Sequence, residues 1–225
     1  MQFVYIIIVA ALIVAAIIFG ALAAKRRREE LSALAVRLGL SFSAGDDYGL
    51  AEQFEFLDAL EHGSNRYAFN ILSGRYGGLE VLLFDYHYET HSTNNKGQRQ
   101  TQHHYFSFFI LQLAQAFPEL RITKEGMLSK IAQAFGYGDI DFESAEFSRC
   151  FCVRSKDKKF AYDFCNGQMM EYLLANRDLS IEVERSALAL AFGSRLAAAQ
   201  IEPNLRRLLE IRSRLPEYLF TKVST

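Results

Sequence analysis

The sequence predicts an α+β protein in which one N-terminal transmembrane helix is followed by a domain built on an antiparallel β-sheet with flanking helices. Three observations predict it. Phe3–Ala24 carries no charge. From Arg66 to Leu113 the residue pattern is that of strands separated by turn residues. Pro203–Leu215 is amphipathic, as a helix docked on a sheet would be. The chain divides into an anchor with a basic stub (1–28), a helical juxtamembrane connector (29–65) and a soluble α+β domain (66–225).

The 22 residues of Phe3–Ala24 make a helix of about 33 Å, enough to cross a hydrocarbon core of about 30 Å. A helix is the open segment that satisfies its own backbone polar groups in lipid. Lys25, Arg26, Arg27 and Arg28 follow at once. The positive-inside bias puts this collar in the cytoplasm at an inner (plasma) membrane, with the N-terminus out and the soluble domain cytoplasmic. A signal peptide is the competing reading, since Ala21-Leu22-Ala23 fits an A-x-A cleavage pattern. Against it stand the missing basic residues before the apolar run and the dense basic run after it.

Glu29–Leu40 has Leu31, Leu34, Ala35 and Leu38 at helical spacing and extends the membrane helix, with Gly39 as its stop. Ser41–Gly49 reads as a loop in which Asp46-Asp47 offers an N-cap for a short helix over Leu50–Leu60. Strands are expected at Arg66–Arg75, Leu79–His91 and His103–Leu113, a meander with Gly77-Gly78 as its first turn. Its second turn, Ser92–Thr101, is long and polar. Further expected elements are a short strand at Leu120–Thr123, a helix over Lys124–Phe135 and a strand over Glu146–Arg154. Helices over Lys156–Cys165 and Gln168–Ala175 come next, then a hairpin of Leu179–Val183 with Ala187–Phe192. Pro203 suits the first turn of the last helix and Pro216 closes it.

Charge excludes one class of partner. Setting aside the four collar cations leaves 21 Lys and Arg against 26 Asp and Glu. A domain with that acidic surplus lacks the basic face nucleic acid requires, so no nucleic-acid partner is expected. The partners expected are the lipid bilayer and other membrane proteins. Cys150, Cys152 and Cys165 are odd in number and suggest no disulfide framework. A zinc site from these thiols is geometrically poor, and small buried hydrophobes are the better reading.

Phe142–Leu174 reads F-E-S-A-E-F-S-R-C-F-C-V-R-S-K-D-K-K-F-A-Y-D-F, then Q-M-M-E-Y-L-L after a short gap. It resembles a bacterial family of membrane-associated domains of unknown function with the pattern E-F-x-R-x-F-x-V-x-x-x-D, then M-M/E-x-L-L. The likeness runs from about Ala68 to Phe220 and includes S-G-R-Y before the second strand and F-D-Y-x-Y within it. The resemblance implies location and architecture. It carries over no catalytic residue and no topology. Cys150 and Cys152 stand where the family tends to have polar or basic residues, and the His-rich hairpin is not a family feature.

Three places hold candidate chemistry. Along Asp85–His91, alternation puts Asp85, His87, Glu89 and His91 on one face and Tyr86 and Tyr88 on the other. With the second turn centred on Asn95-Lys96, His104 faces His87. Two imidazoles and a carboxylate can hold a divalent metal. The candidate ligands are therefore His87, His104, Asp85, Glu89 and His91, against the plain reading of a solvated sheet face. The acidic run Asp139, Asp141, Glu143 and Glu146 offers paired carboxylates, which do acid–base work only where burial splits their pKa values. The collar Lys25–Arg28 is the candidate membrane-contacting set, together with arginines of the last helix for anionic headgroups. There is no P-loop, dinucleotide fingerprint or nucleophile elbow, and no motif names a cofactor. The leading reading is a binding or scaffolding module on a single-pass membrane protein. The alternative is a membrane-tethered enzyme or metal-binding domain using the His/Asp/Glu-rich hairpin.

Overall fold

The computed structural model describes residues 2–94, 97–124 and 138–220. Helix α1 (Gln2–Leu38) is continuous for 37 residues, about 55 Å at 1.5 Å per residue. It is the one helix among the described residues long and apolar enough to cross a membrane. Its uncharged part touches nothing of the domain, whereas Leu31, Leu34 and Ala35 lie in the core. The helix ends in a Schellman arrangement. Gly39 takes φ +70°, its N–H bonds the Val36 carbonyl, and the Leu40 N–H bonds that of Ala35.

The connector expected over 29–65 is packed into the domain on both sides of the sheet. Its first part belongs to α1. The rest forms β1 (Ser41–Ser43), α2 (Tyr48–Gln53) and α3 (Asp58–Glu61). Asp47 caps α2, its side chain accepting from the Leu50 N–H at 2.8 Å. Gly63 and Asn65, at φ +77° and +49°, turn the chain into the sheet.

The sheet is antiparallel and six-stranded: β1, β2 (Ser64–Tyr76), β3 (Leu79–Thr93), β4 (Arg99–Lys124), β5 (Phe151–Ser155) and β6 (Ile181–Ala191). The expected meander is β2–β3–β4. Gly77 and Gly78 both take positive φ between paired Tyr76 and Leu79, a two-residue turn of type I′. A Cβ on Gly77 would meet Leu209 at 2.6 Å, so the turn also admits the last helix. Strand β4 is the spine. It absorbs the short strand expected at Leu120–Thr123. One edge pairs with β3 and then β5, and the other pairs with β6 between Phe108 and Ile122.

Four expectations are corrected. The closing hairpin is one strand, β6, because the polar Glu184-Arg185-Ser186 makes a kink rather than a reversal. Arg185 takes φ +53° there, and β4 bulges opposite it. Glu146–Arg154 is not a single strand. Ser144 accepts from the Phe147 N–H and starts the helix α4 (Ala145–Cys150) before β5 begins. The helix expected from Lys156 starts later, with Asp157 as the cap of α5 (Lys158–Phe164), and α6 (Gly167–Ala175) follows. The last helix, α7 (Ala198–Ser213), starts upstream of Pro203 and holds it inside. The helix expected over Lys124–Phe135 lies, after Lys124, outside the described residues.

Alternation along the strands gives the sheet two cores. On one face Leu83, Phe109, Leu120, Ile122, Val153, Ile181 and Val183 pack with the end of α1 and with α5, α6 and α7. On the other Phe84, Tyr86, Phe108, Ile110, Ala187 and Ala189 pack under Phe54, Leu57 and Leu60 of the α2–α3 segment. Each fully buried side chain of this size contributes about 1.5–3 kcal/mol. Beyond that second core the same sheet face turns ionic, and the functional site begins.

Candidate functional site

Asp85, His87 and Glu89 share one face of β3 and have different surroundings. Asp85 is buried beneath α1. Arg27 reaches it with Nε to Oδ2 and Nη2 to Oδ1, both at 2.7 Å, and gives Nη1 to the Leu196 carbonyl at 2.7 Å. Asn70 and Ser107 donate to the same carboxylate at 2.9 and 3.0 Å. Four donors hold the two oxygens, and Asp85 is thereby a structural anchor rather than a metal ligand. The collar is divided by this contact. Arg27 is turned into the domain, while Lys25 and Arg26 stay exposed beside Glu29 and Glu30 on their own helix.

The expected pairing of His87 with His104 is off by one residue. His87 opposes Tyr105, and His104 opposes Tyr88. A one-residue slip moves a side chain to the other face of the sheet. His104 therefore stacks on Tyr88 with ring centres 4.5 Å apart and contacts Thr90 at 2.8 Å. His103, which the sequence reading passed over, takes its place beside His87 and Glu89. His91 stands further out between Ser64 and Thr101, 4.0 Å from Glu89. Of the acidic run, Asp139 holds the Val153 N–H at 2.8 Å and Glu146 pairs with Arg177. Cys152 and Cys165 are buried and Cys150 is half-buried.

On the opposite face of the hairpin a cavity of about 290 Å³ opens, at the small end of the roughly 300–1,000 Å³ typical of ligand pockets. Tyr88, Phe106, Ala191 and Phe192 form its apolar wall, with His104 at one side. Its polar wall is Asp58 and His62 from α3, Arg121 and Thr123 from β4, Cys152 and Arg154 from β5, and Glu182 from β6. The sequence places these residues by alternation. Arg121, Arg154 and Glu182 are the odd members between Leu120 and Ile122, Val153 and Ser155, and Ile181 and Val183, whose side chains fill the other core.

The polar wall is unevenly satisfied. Arg121 pairs with Asp58 at 2.8 Å and with Glu119 at 3.0 Å. His62 Nε2 lies 3.6 Å from the same Asp58. Burial pushes the Asp58 carboxyl up, but pairing with His62 and the Arg121 charge together hold it below the usual carboxylate range. Pairing with Asp58 in turn raises His62, against the effect of its own burial. Glu182 is buried and accepts from the Ala59 N–H at Oε1, at 3.2 Å. Its Oε2 has no hydrogen-bond partner among the described residues, nor do Nε and Nη1 of Arg154, and all three atoms are shut off from solvent. Burial first, and then the Asp58 charge, push Glu182 up to about 7. Beside a void, a half-buried permanent cation with two unused nitrogens and a carboxyl near neutrality can meet an oxygen-rich or anionic group. Sequence reasoning missed this wall. The available signal was a charge between apolar neighbours in a strand, but what covers that face depends on where α3 lands.

No family model and no curated protein matches this chain. Among solved structures, the mycobacterial trehalose monomycolate transport factor A, TtfA, is similar. The superposition has a TM-score of 0.59 and covers 86% of this chain and 96% of that one, at 13% identity. At that identity the likeness is one of fold. It agrees with the α+β architecture of a long apolar helix followed by a six-stranded antiparallel sheet.

Proposed function

We propose that this chain is a single-pass inner-membrane protein whose soluble domain is a cytoplasmic binding module serving a transport-related task. The cavity takes a small amphipathic molecule by an anionic or hydroxyl-rich head. The observation that carries this reading is the pair of Arg154 nitrogens, Nε and Nη1, that have no acceptor among the described residues, on the same polar wall as Glu182 in a cavity whose other wall is apolar. An Arg charge cannot be relieved by losing its proton, so one whose two solvent-shielded nitrogens have no acceptor favours an incoming anion. The mounting supports the same reading. An unbroken helix clamped by Arg27–Asp85 fixes the domain's orientation to the bilayer, as suits a module that hands a ligand on or docks beside other membrane proteins. The transport task is extended from the protein that shares the fold, which is described as a transport factor. The resemblance of Phe142–Leu174 to membrane-associated domains supports the location, and the collar's charge supports the orientation.

The test is native mass spectrometry of the full chain released from nanodiscs, with identification of what leaves with it. The wild type is expected to carry one small amphiphile per chain, and Arg154→Met to carry none. A wild type that carries nothing, and whose melting no anionic amphiphile shifts, would sink the reading. A second reading, a tethered enzyme, rests on Glu182 alone, since a carboxyl near neutrality in a cleft is suited to acid–base work. Turnover of the copurified molecule, abolished by Glu182→Gln, would select it.

A further inference from the structure

The three polar side chains left on the outer part of the β3–β4 hairpin are arranged as a ligand set. Glu89 and His103 are directly opposite one another, and His87 is two residues along the same face. His87 Nε2 and His103 Nδ1 are 3.0 Å apart, and Glu89 Oε1 lies 3.5 Å from His103 Nδ1. One donor atom from each residue falls within 4.8 Å of the others. Two nitrogens bound to one tetrahedral zinc, with bonds of about 2.0–2.1 Å, are roughly 3.3 Å apart. The observed spacing is a few tenths of an ångström tighter, within reach of a small rotation of the exposed His103 ring.

The decisive feature is behind the ligands. His87 Nδ1 lies 3.0 Å from the Asn65 carbonyl oxygen. A carbonyl only accepts, so Nδ1 carries the proton and neutral His87 presents a bare Nε2 to the cluster. His87 is almost wholly buried, which holds the ring against the Asn65 carbonyl. The side-chain amide of the same Asn65 donates to Glu89 Oε1 at 2.7 Å. One residue therefore orients a nitrogen ligand through its backbone and an oxygen ligand through its side chain. Asn65 does so from φ +49°, a left-handed conformation at an irregular point of β2. Orientation of metal-binding histidines by a carbonyl on the far ring nitrogen is the usual supporting arrangement of metal sites. Tyr67 and Tyr105 pack against the His87 ring at 4.6 and 4.8 Å and wall it from water.

We propose that His87 Nε2, His103 Nδ1 and Glu89 bind a divalent transition-metal ion of the zinc class, positioned by Asn65 and with a fourth coordination position open. Without metal, His103 Nδ1–H donates to His87 Nε2. On binding, His103 moves that proton to its exposed Nε2 by exchange with water and offers Nδ1 to the ion. The set of two nitrogens and one carboxylate oxygen suits zinc, cobalt and nickel over calcium or magnesium. His104 and Asp85 take no part, being on the other face and in the Arg27 clamp respectively.

Cobalt(II) titration of the full chain in nanodiscs tests it, read by the visible absorption of four-coordinate cobalt and by zinc competition. The expected result is one ion per chain, lost in His103→Ala and in Glu89→Gln and retained in His104→Ala. Asn65→Gly keeps the left-handed backbone and the carbonyl but removes the amide, and it should weaken binding about tenfold. His103 is exposed, so metal-free melting of its variant should match the wild type. Absence of one-to-one binding would overturn the proposal. So would binding that survives His103→Ala, or that His104→Ala abolishes equally.

Discussion

The two faces of β3 and its neighbours each bury charge, and they do it in opposite ways. Under α1, Asp85 receives four donors and Arg27 uses three of its nitrogens. Under α3, Glu182 and Arg154 keep polar atoms unused next to an open volume of about 290 Å³. A satisfied buried pair with only about 10 Å³ of space beside it is a fastening. An under-satisfied one beside a cavity is held at a cost to the ligand-free fold, and the missing partner is sought outside the chain. The contrast separates the part of this molecule that fastens the domain to its long helix from the cavity proposed to take a ligand.

The largest effect tests the fastening. Asp85→Ala leaves the Arg27 guanidinium buried without its acid and strands the Asn70 and Ser107 donors. A loss of about 3–5 kcal/mol in unfolding free energy is expected, read by denaturant or thermal melting of the full chain in nanodiscs. Replacing both partners, Arg27→Met with Asp85→Leu, should restore most of it, because the cost lies in the unpaired charge. If the double variant were as unstable as the single, the clamp would act by a means other than charge pairing.

Glu182→Gln works in the other direction. The folded protein holds the Glu182 proton up to about pH 7, against an ordinary value of 4.5. A carboxyl raised by folding favours the folded state while it is protonated in both states. It loses that advantage as pH rises from 4.5 through about 7. Wild-type stability is therefore expected to fall across this window relative to the variant, whose amide does not titrate. The gap should reach on the order of 3 kcal/mol by pH 8 and close below pH 4.5. Paired pH series of melting measurements read it directly. A gap of constant size would mean that Glu182 is not the titrating group.

Both faces were partly legible in the sequence, for a shared reason. Strand alternation assigns each residue a side, and Asp85, His87, Glu89 and His91 do share one. Register is another matter. The turn after β3 is long and polar, and no short turn chemistry pins its centre. A shift of one residue exchanged His104 for His103 and moved the metal candidate to a different set. The long elements, α1 and β2 to β4, were legible because their periodicity runs for many residues. The joints were not. A cap at Ser144 turned an expected strand into a helix, and Arg185 let β6 bend where a turn was expected. The cavity wall was invisible because its covering comes from α3, Asp58–Glu61, far ahead in the chain of the wall residues Arg121, Arg154 and Glu182 that it shields. Asp85 looked like a ligand because its true partner, Arg27, looked like part of a membrane collar.

That collar gives the smallest effect and the most direct internal control. Lys25 and Arg26 have the same charge as Arg27 and adjoin it, but each pairs only with a glutamate one turn away in water. Exposed pairs of this kind contribute about 0.5 kcal/mol or less. Arg26→Ala should therefore leave melting nearly unchanged, while Arg27→Ala, one residue on, should cost several kcal/mol by baring Asp85. The same two variants separate topology from fastening. Positive charge near the bilayer acts by number, so each removes one charge equally from the orientation signal, and a reporter fused at Thr225 should respond alike to both. Equal destabilisation by the two would place the collar's role in general electrostatics. A difference of several kcal/mol at a single helical step would place it in the geometry of one guanidinium, which α1 aims at Asp85 because nothing interrupts the helix between the bilayer and the core.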